Sequence, residues 1–160
     1  MKIGLISDTH DQLDARVAER FAGVDHIVHA GDVCRPLLIA ELEAIAPVTV
    51  VLGNNDQHLG WRETELVEFG EWRVFVQHIV APDGSASSLT RRIRRSGAGI
   101  VVFGHTHRAY CRTLDGVLFL NPGSAGAPRF GLPPSLAVLH LTPTGVRPEF
   151  LALDGHPLLL

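Results

Sequence analysis

Cysteine is scarce in this chain, and the scarcity removes two structural classes at once. Only Cys34 and Cys111 are present, with no CxxC spacing, so neither a disulfide framework nor a thiolate zinc knuckle is indicated. Long apolar runs are also missing, and nothing approaches the roughly 18 residues needed to cross a bilayer. The apolar stretch near the start meets Asp8 too soon to serve as a secretory signal. The cytosol is the expected compartment, with no membrane association. Excess positive charge is lacking as well. A formal net charge of −3 argues against nucleic-acid binding through overall charge. Internal repeats, low-complexity tracts and linkers are absent, so residues 1–160 read as one domain. With 46% hydrophobic and 19% charged residues, the chain can bury a core and is not disordered.

Histidine, by contrast, is plentiful at nine residues, and its placement carries more information than its number. Residues 2–7 read as a strand, 13–22 as an amphipathic helix and 26–30 as a short strand. Pro36 suits the first turn of a helix running to about Ala46, where Pro47 stops it. Residues 48–52 are a further buried strand. This β-α-β-α-β order predicts parallel strands with right-handed crossovers. Residues 64–70 and 72–78 then alternate like a hairpin. Residues 85–97 read as a helix capped by Ser85 or Ser87, and 100–104 as another buried strand. Asp115-Gly116 centres a second hairpin over 109–121. Residues 135–142 and 146–153 form two last strands around Pro143-Thr144-Gly145. The fold class is α/β, with two packed sheets flanked by helices.

Metal-binding side chains follow five of these strands. Asp8 and His10 come after the first and Asp32 after the second, and Asn54, Asn55 and Asp56 follow "VVLG". His78 ends the fourth of the five, and His105 and His107 follow "IVVFG". Ligands of α/β sheets bind beyond the carboxyl ends of strands, so these groups should converge on one cleft. The i, i+2 spacing within Asp8/His10 and His105/His107 would place each pair on one side of extended backbone. Each fragment alone has a plain structural explanation, as a turn aspartate or a core histidine. Their joint recurrence at strand ends does not.

The ordered motifs DxH, GD, GNxD, a strand-terminal His and GHTH resemble those of the calcineurin-like metallophosphoesterase superfamily. The short chain, "NPGS" at residues 121–124 and Pro128-Arg129 are similar to its small bacterial and archaeal phosphodiesterase branch. The resemblance spans essentially the whole chain. It implies a four-layer α/β/β/α sandwich of two mixed sheets and two divalent metal ions. One ion would be held by Asp8, His10, Asp32 and His107. The other would be held by Asp32, Asn54, His78 and His105, with Asp32 bridging. Such carboxylate, imidazole and amide donors suit Mn, Fe, Zn or Ni without identifying which; Mn is the expected metal. Two ions could activate a bridging hydroxide for in-line attack on phosphorus. Asn54 and Arg129 are candidate substrate contacts, and a small phosphodiester is the expected substrate. A homodimer is consistent with the family and with the apolar tail "HPLLL".

Two positions depart from the family pattern. Asn55 stands where many members carry the histidine that protonates the leaving oxygen, and an amide cannot do so. That points to diesters with acidic leaving groups over alkyl monoesters, with His58 a possible replacement acid. Ile79 follows His78 where glycine is usual, which puts that ligand in question. The family also includes a retromer subunit acting as a protein-interaction scaffold, and this is the alternative function. Arg91, Arg92, Arg94 and Arg95 raise a third reading, a nuclease, which the acidic net charge disfavours. His26, His29, His140 and His156 are expected to be structural.

Overall fold

The computed structural model describes residues 1–57, 59–83, 88–128, 130–155 and 158. Ten strands and three helices make up the described chain, with helices between β1 and β2, β2 and β3, and β5 and β6. One five-stranded sheet contains β1 (Lys2–Ile6), β2 (His26–His29), β3 (Val48–Val50), β9 (Ser135–Thr142) and β10 (Gly145–Ala152), in the order β10-β9-β1-β2-β3. The expected parallel β1-β2-β3 unit is present, with Ile6 beside His29 and His29 beside Val50. The second sheet, ordered β4-β5-β6-β8-β7, contains β4 (Thr64–Phe69), β5 (Trp72–Gln77), β6 (Ile100–Val102), β7 (Tyr110–Leu114) and β8 (Val117–Asn121). Its two expected hairpins, β4-β5 and β7-β8, flank parallel β5-β6 and β6-β8 pairs.

Three apolar layers hold the sheets and helices together. Ile3, Leu5, Val28 and Leu139 of the first sheet meet Val74, Val76, Ile100, Val102 and Leu120 of the second. The outer face of the first sheet packs Ile6, Ile27, Leu136 and Val138 against Val17 and Phe21 around α1 (Arg16–Arg20) and Leu38, Ile39 and Leu42 of α2 (Leu37–Glu43). The outer face of the second packs Phe75, Val101 and Phe119 against Ile93 of α3 (Ser88–Ser96). The layer order is therefore α/β/β/α. No helix among the described residues is long and apolar enough to cross a membrane.

The helix expected over 13–22 is shorter, and Asp14 explains why. Its side chain accepts the Arg16 backbone N–H at 2.9 Å and its carbonyl accepts that of Val17 at 2.9 Å, a turn that delays the helix to Arg16. Leu13 still packs on the layer, but from the preceding loop. The proposed Ser85 and Ser87 caps, His58, Arg129, His156 and most of the "HPLLL" tail lie outside the described residues.

Candidate metal centre

The site forms where β1, β2, β3, β5 and β6 end, so both sheets contribute. Asp8, His10, Asp32, His105 and His107 all have left-handed backbone, with φ of 54°, 44°, 57°, 70° and 57°. Contrary to the expectation from i, i+2 spacing, neither pair lies on extended backbone. Asp8/His10 and His105/His107 lie past the ends of their strands, and left-handed turns bring each pair together instead of the alternation of extended backbone. Non-glycine residues rarely adopt this region, and such conformations cluster at functional sites.

Close approach also fixes two glycines. A Cβ on Gly53 would overlap the Asp32 carboxylate, and one on Gly104 would overlap Ser7 Oγ and approach Asp8 Oδ2. This is why glycine stands before the Asn-Asn pair and before "HTH". The loops after β1 and β2 run side by side, with backbone bonds from Asp8 N to Gly31 O and from His10 N to Asp32 O, each 3.0 Å.

Two groups of donor atoms result. His10 Nε2 lies 3.2 Å from His107 Nε2 and 4.0 Å from Asp8 Oδ1, while His107 Nε2 is 3.3 Å from that same oxygen. In the second group, His78 Nε2 is 3.2 Å from Asn54 Oδ1, and His105 Nδ1 is 2.9 Å from it. Asp32 stands between them, its Oδ2 at 3.8 Å from His10 Nε2 and 3.4 Å from His78 Nε2. All seven candidate ligands thus meet in one place.

Ile79 does not displace His78. The histidine is buried and its Nδ1 bonds the Ala30 carbonyl at 2.7 Å, which leaves Nε2 facing the carboxylates. Ile79 is half exposed and lines an open groove of about 240 Å³ with Leu52, Gly53, Asn54, Glu63 and Gln77.

Electrostatics tie the two groups together. Burial pushes Asp32 up, but hydrogen bonds with His78 and Asn55 outweigh it and hold the carboxyl well below the usual range. Burial pulls His78 down, yet Asp32 and Asp8 raise it above an ordinary imidazole. Asn55 donates its backbone N–H to Asp32 Oδ1 at 2.8 Å and its side-chain amide to Oδ2 at 2.7 Å. Its amide is thus turned onto the central carboxylate. Asp8 Oδ2 accepts from Ser7 Oγ at 2.7 Å and from His105 N at 3.0 Å, while Oδ1 is buried without a hydrogen-bond partner. A bare buried carboxylate oxygen beside three imidazoles is what a cation would satisfy, and mixed carboxylate, imidazole and amide donors fit a divalent transition metal. Asp8, His10 and His107, and Asp8, Asp32 and His78, each offer ligand atoms close enough to share an ion.

Other residues at the site take bracing roles that the sequence did not assign to them. Asp56 accepts three backbone N–H bonds, from Asp32 and Gly53 at Oδ2 (2.8 and 2.7 Å) and from Cys34 at Oδ1 (2.7 Å). Cys34 Sγ in turn lies 3.7 Å from His10 Nδ1. Within "NPGS", Asn121 donates to Gly104 O at 2.8 Å and Ser124 to Asp8 O at 2.9 Å. Position alone gave no sign that these residues brace the loops. His26 and His140 contact Thr49 and Glu149, away from the ligand groups, while His29 lies buried behind them and bonds Thr9 and Gly31.

The calcineurin-like phosphoesterase superfamily domain matches residues 1–144. The chain belongs to this family. A probable metallophosphoesterase of Methanothermobacter thermautotrophicus is 38% identical over 149 residues, covering 88% of this chain and 86% of the relative. A phosphodiesterase of Methanocaldococcus jannaschii is 31% identical over 153 residues, covering 83% and 89%. Among solved structures, a predicted phosphoesterase from Streptococcus pneumoniae superposes with a TM-score of 0.77 at 28% identity, covering 96% of this chain and 90% of that one. Vacuolar protein sorting 29 from Cryptosporidium parvum gives 0.73 at 25% identity, covering 94% and 96%. As a metallophosphoesterase of this family, the protein is read as a hydrolase whose fold implies divalent metal ions, for which the converged side chains are candidate ligands.

Proposed function

We propose that this metallophosphoesterase is a dinuclear-metal phosphodiesterase. The observation that carries the reading is the pair of donor groups sharing Asp32, with Asp8 Oδ1 buried and unbonded between imidazoles. Asp8, His10, Asp32 and His107 would hold one ion, and Asp32, Asn54, His78 and His105 the other. When bound, two such ions supply Lewis-acid stabilisation of phosphate charge and a nucleophile from water at neutral pH. The chain's own residues orient these ligands. Ala30 O fixes His78, Asn55 holds both oxygens of Asp32, and Asp56 pins the Asp32 and Gly53 backbones together.

The diester preference follows from Asn55. An amide gives no proton to a departing alkoxide, and general acid help is typically worth about 10²–10⁴-fold. Esters with acidic leaving groups lose least by its absence. The archaeal relative named as a phosphodiesterase agrees with this preference.

The scaffold reading draws support from the likeness to vacuolar protein sorting 29. A pure scaffold, however, has no chemical need for seven converged donors. The nuclease reading loses ground because the arginine helix is partly engaged within the chain. Arg94 pairs with Asp115 at 2.6 Å, and Arg92 bonds Thr64 Oγ1 at 3.1 Å and lies over the Phe75 ring.

The test is hydrolysis of an aryl phosphodiester and the matching monoester by metal-stripped protein resupplied with Mn, Fe, Zn or Ni. Metal-dependent diester turnover exceeding monoester turnover, and lost in Asp32→Asn, is the expected result. Stoichiometric metal binding with neither ester hydrolysed would favour the scaffold.

A further inference from the structure

An aromatic ring stands exposed beside the metal centre. Phe130 is 81% exposed, and its ring centroid lies 5.4 Å from that of His107, edge to face at 66°. A lone exposed apolar side chain is ordinary on a protein surface. Three observations set this one apart.

First, its neighbour is a candidate ligand, so the ring sits at the rim of the cleft. Second, its backbone is left-handed at φ 57°, followed by Gly131 at 68°; for a bulky residue that is an outlier, and such outliers gather at functional sites. Third, the loop leading to it is fastened to the site. Ala125 N bonds Ser7 O at 3.0 Å, Gly126 N bonds Asp8 O at 3.2 Å, and Ser124 Oγ bonds Asp8 O. On the return side, the loop runs into β9, which pairs directly with β1. The segment four residues before the ring is thus fastened beside Asp8, while the ring's own surface stays in water.

We propose that Phe130 is a specificity-determining residue that stacks on the planar ring of the phosphodiester's non-leaving substituent, a nucleobase. The proposal rests on the phosphodiesterase reading above and narrows its substrate class. A phosphate placed between the two donor groups has one substituent on the His10–His107 side, within reach of the exposed ring. The groove beside Asn54 and His78 lies on the other side and would take the second substituent. Aromatic stacking is tolerant of base identity because every base presents a π face. It selects small nucleotide-like diesters without requiring a basic surface, in keeping with the net charge of −3.

The experiment compares two diesters with one leaving group, thymidine 5′-(p-nitrophenyl) phosphate and ethyl p-nitrophenyl phosphate, on metal-loaded protein. Phe130→Ala should lower the thymidine-to-ethyl ratio of kcat/KM about tenfold, through KM, as loss of one stacking contact does. Phe130→Trp should preserve the ratio. Equal loss for both esters would mean the residue only packs on His107 or meets the shared leaving group, and no loss for either would mean it contacts neither; each outcome overturns the proposal.

A second measurement separates this idea from the activity it rests on. In Phe130→Trp, adenosine 5′-monophosphate should quench the added fluorescence, corrected for Trp61 and Trp72 by the parent protein, while glycerol 3-phosphate should not. If neither diester is turned over, the phosphodiesterase reading fails, and the quench still decides the stacking. Equal quenching by both phosphates, or by neither, overturns it.

Discussion

Asp56 shows how much a candidate metal centre can depend on a residue whose carboxylate is spent on backbone N–H groups. Its carboxylate gathers the backbone N–H groups of Asp32, Cys34 and Gly53, joining the loops after β2 and β3. An amide at this position keeps one accepting oxygen and turns an NH2 group toward at least one of these donors. Asp56→Asn should therefore destabilise the fold by about 1–3 kcal/mol, the range for a buried donor left unpaired. Denaturant midpoints would measure it, and a competition titration should show weaker metal binding as the Asp32 loop loosens.

His29 provides the pH-dependent counterpart at the same scale. Burial pushes its pKa down from 6.5 to about 3, against the opposing charge of Asp8. Gly31 N–H donates to its Nδ1 at 3.2 Å, so Nε2 carries the proton toward Thr9 Oγ1 at 3.0 Å. The unfolded state then binds more protons below pH 6.5, and stability present above that value is lost as pH falls toward 3. At pH 5 the metal-free protein should have lost about 2 kcal/mol through this group. Thermal or denaturant unfolding between pH 7 and 5 should show a flatter slope in His29→Gln. An unchanged slope would exclude His29 as its source.

At the scale of elements, the apolar periods and turn signals placed every described strand, because each depends on local pattern. The β1-β2-β3 unit and both hairpins are legible in residues alone, as is the order of ligand types at the strand ends. Three things were not. The left-handed turns at Asp8, His10, His105 and His107 leave no trace in a DxH or HTH triplet. A turn aspartate and a buried clamp such as Asp56 look identical until the partner loop is seen. The turn at Asp14 delayed α1 to Arg16 inside a continuous apolar pattern. For Asn55 and Ile79, only the fold shows where each side chain lies.

Helix α3 makes the most testable claim about packing. Ile93 is its one fully buried residue among those described, seated against the outer face of the second sheet. Ile93→Ala should cost about 2–5 kcal/mol through lost burial and the cavity left behind. Hydrogen exchange should rise first in α3 and leave β1, β2 and the metal centre protected. Equal deprotection of both sheets would show that α3 does not open as a separate unit.

For the whole molecule, the central claim is that two sheets deliver donors to one bridging carboxylate. The first sheet brings Asp8, His10, Asp32 and Asn54, and the second brings His78, His105 and His107. Neither sheet alone completes either group of four. The decisive measurement is the number of manganese ions retained per chain when the metal-free protein is titrated and freed of excess. The account predicts two ions for the unaltered protein and at most one, held weakly, for Asp32→Asn. A single ion in the unaltered protein, or two tightly held in the variant, would contradict it.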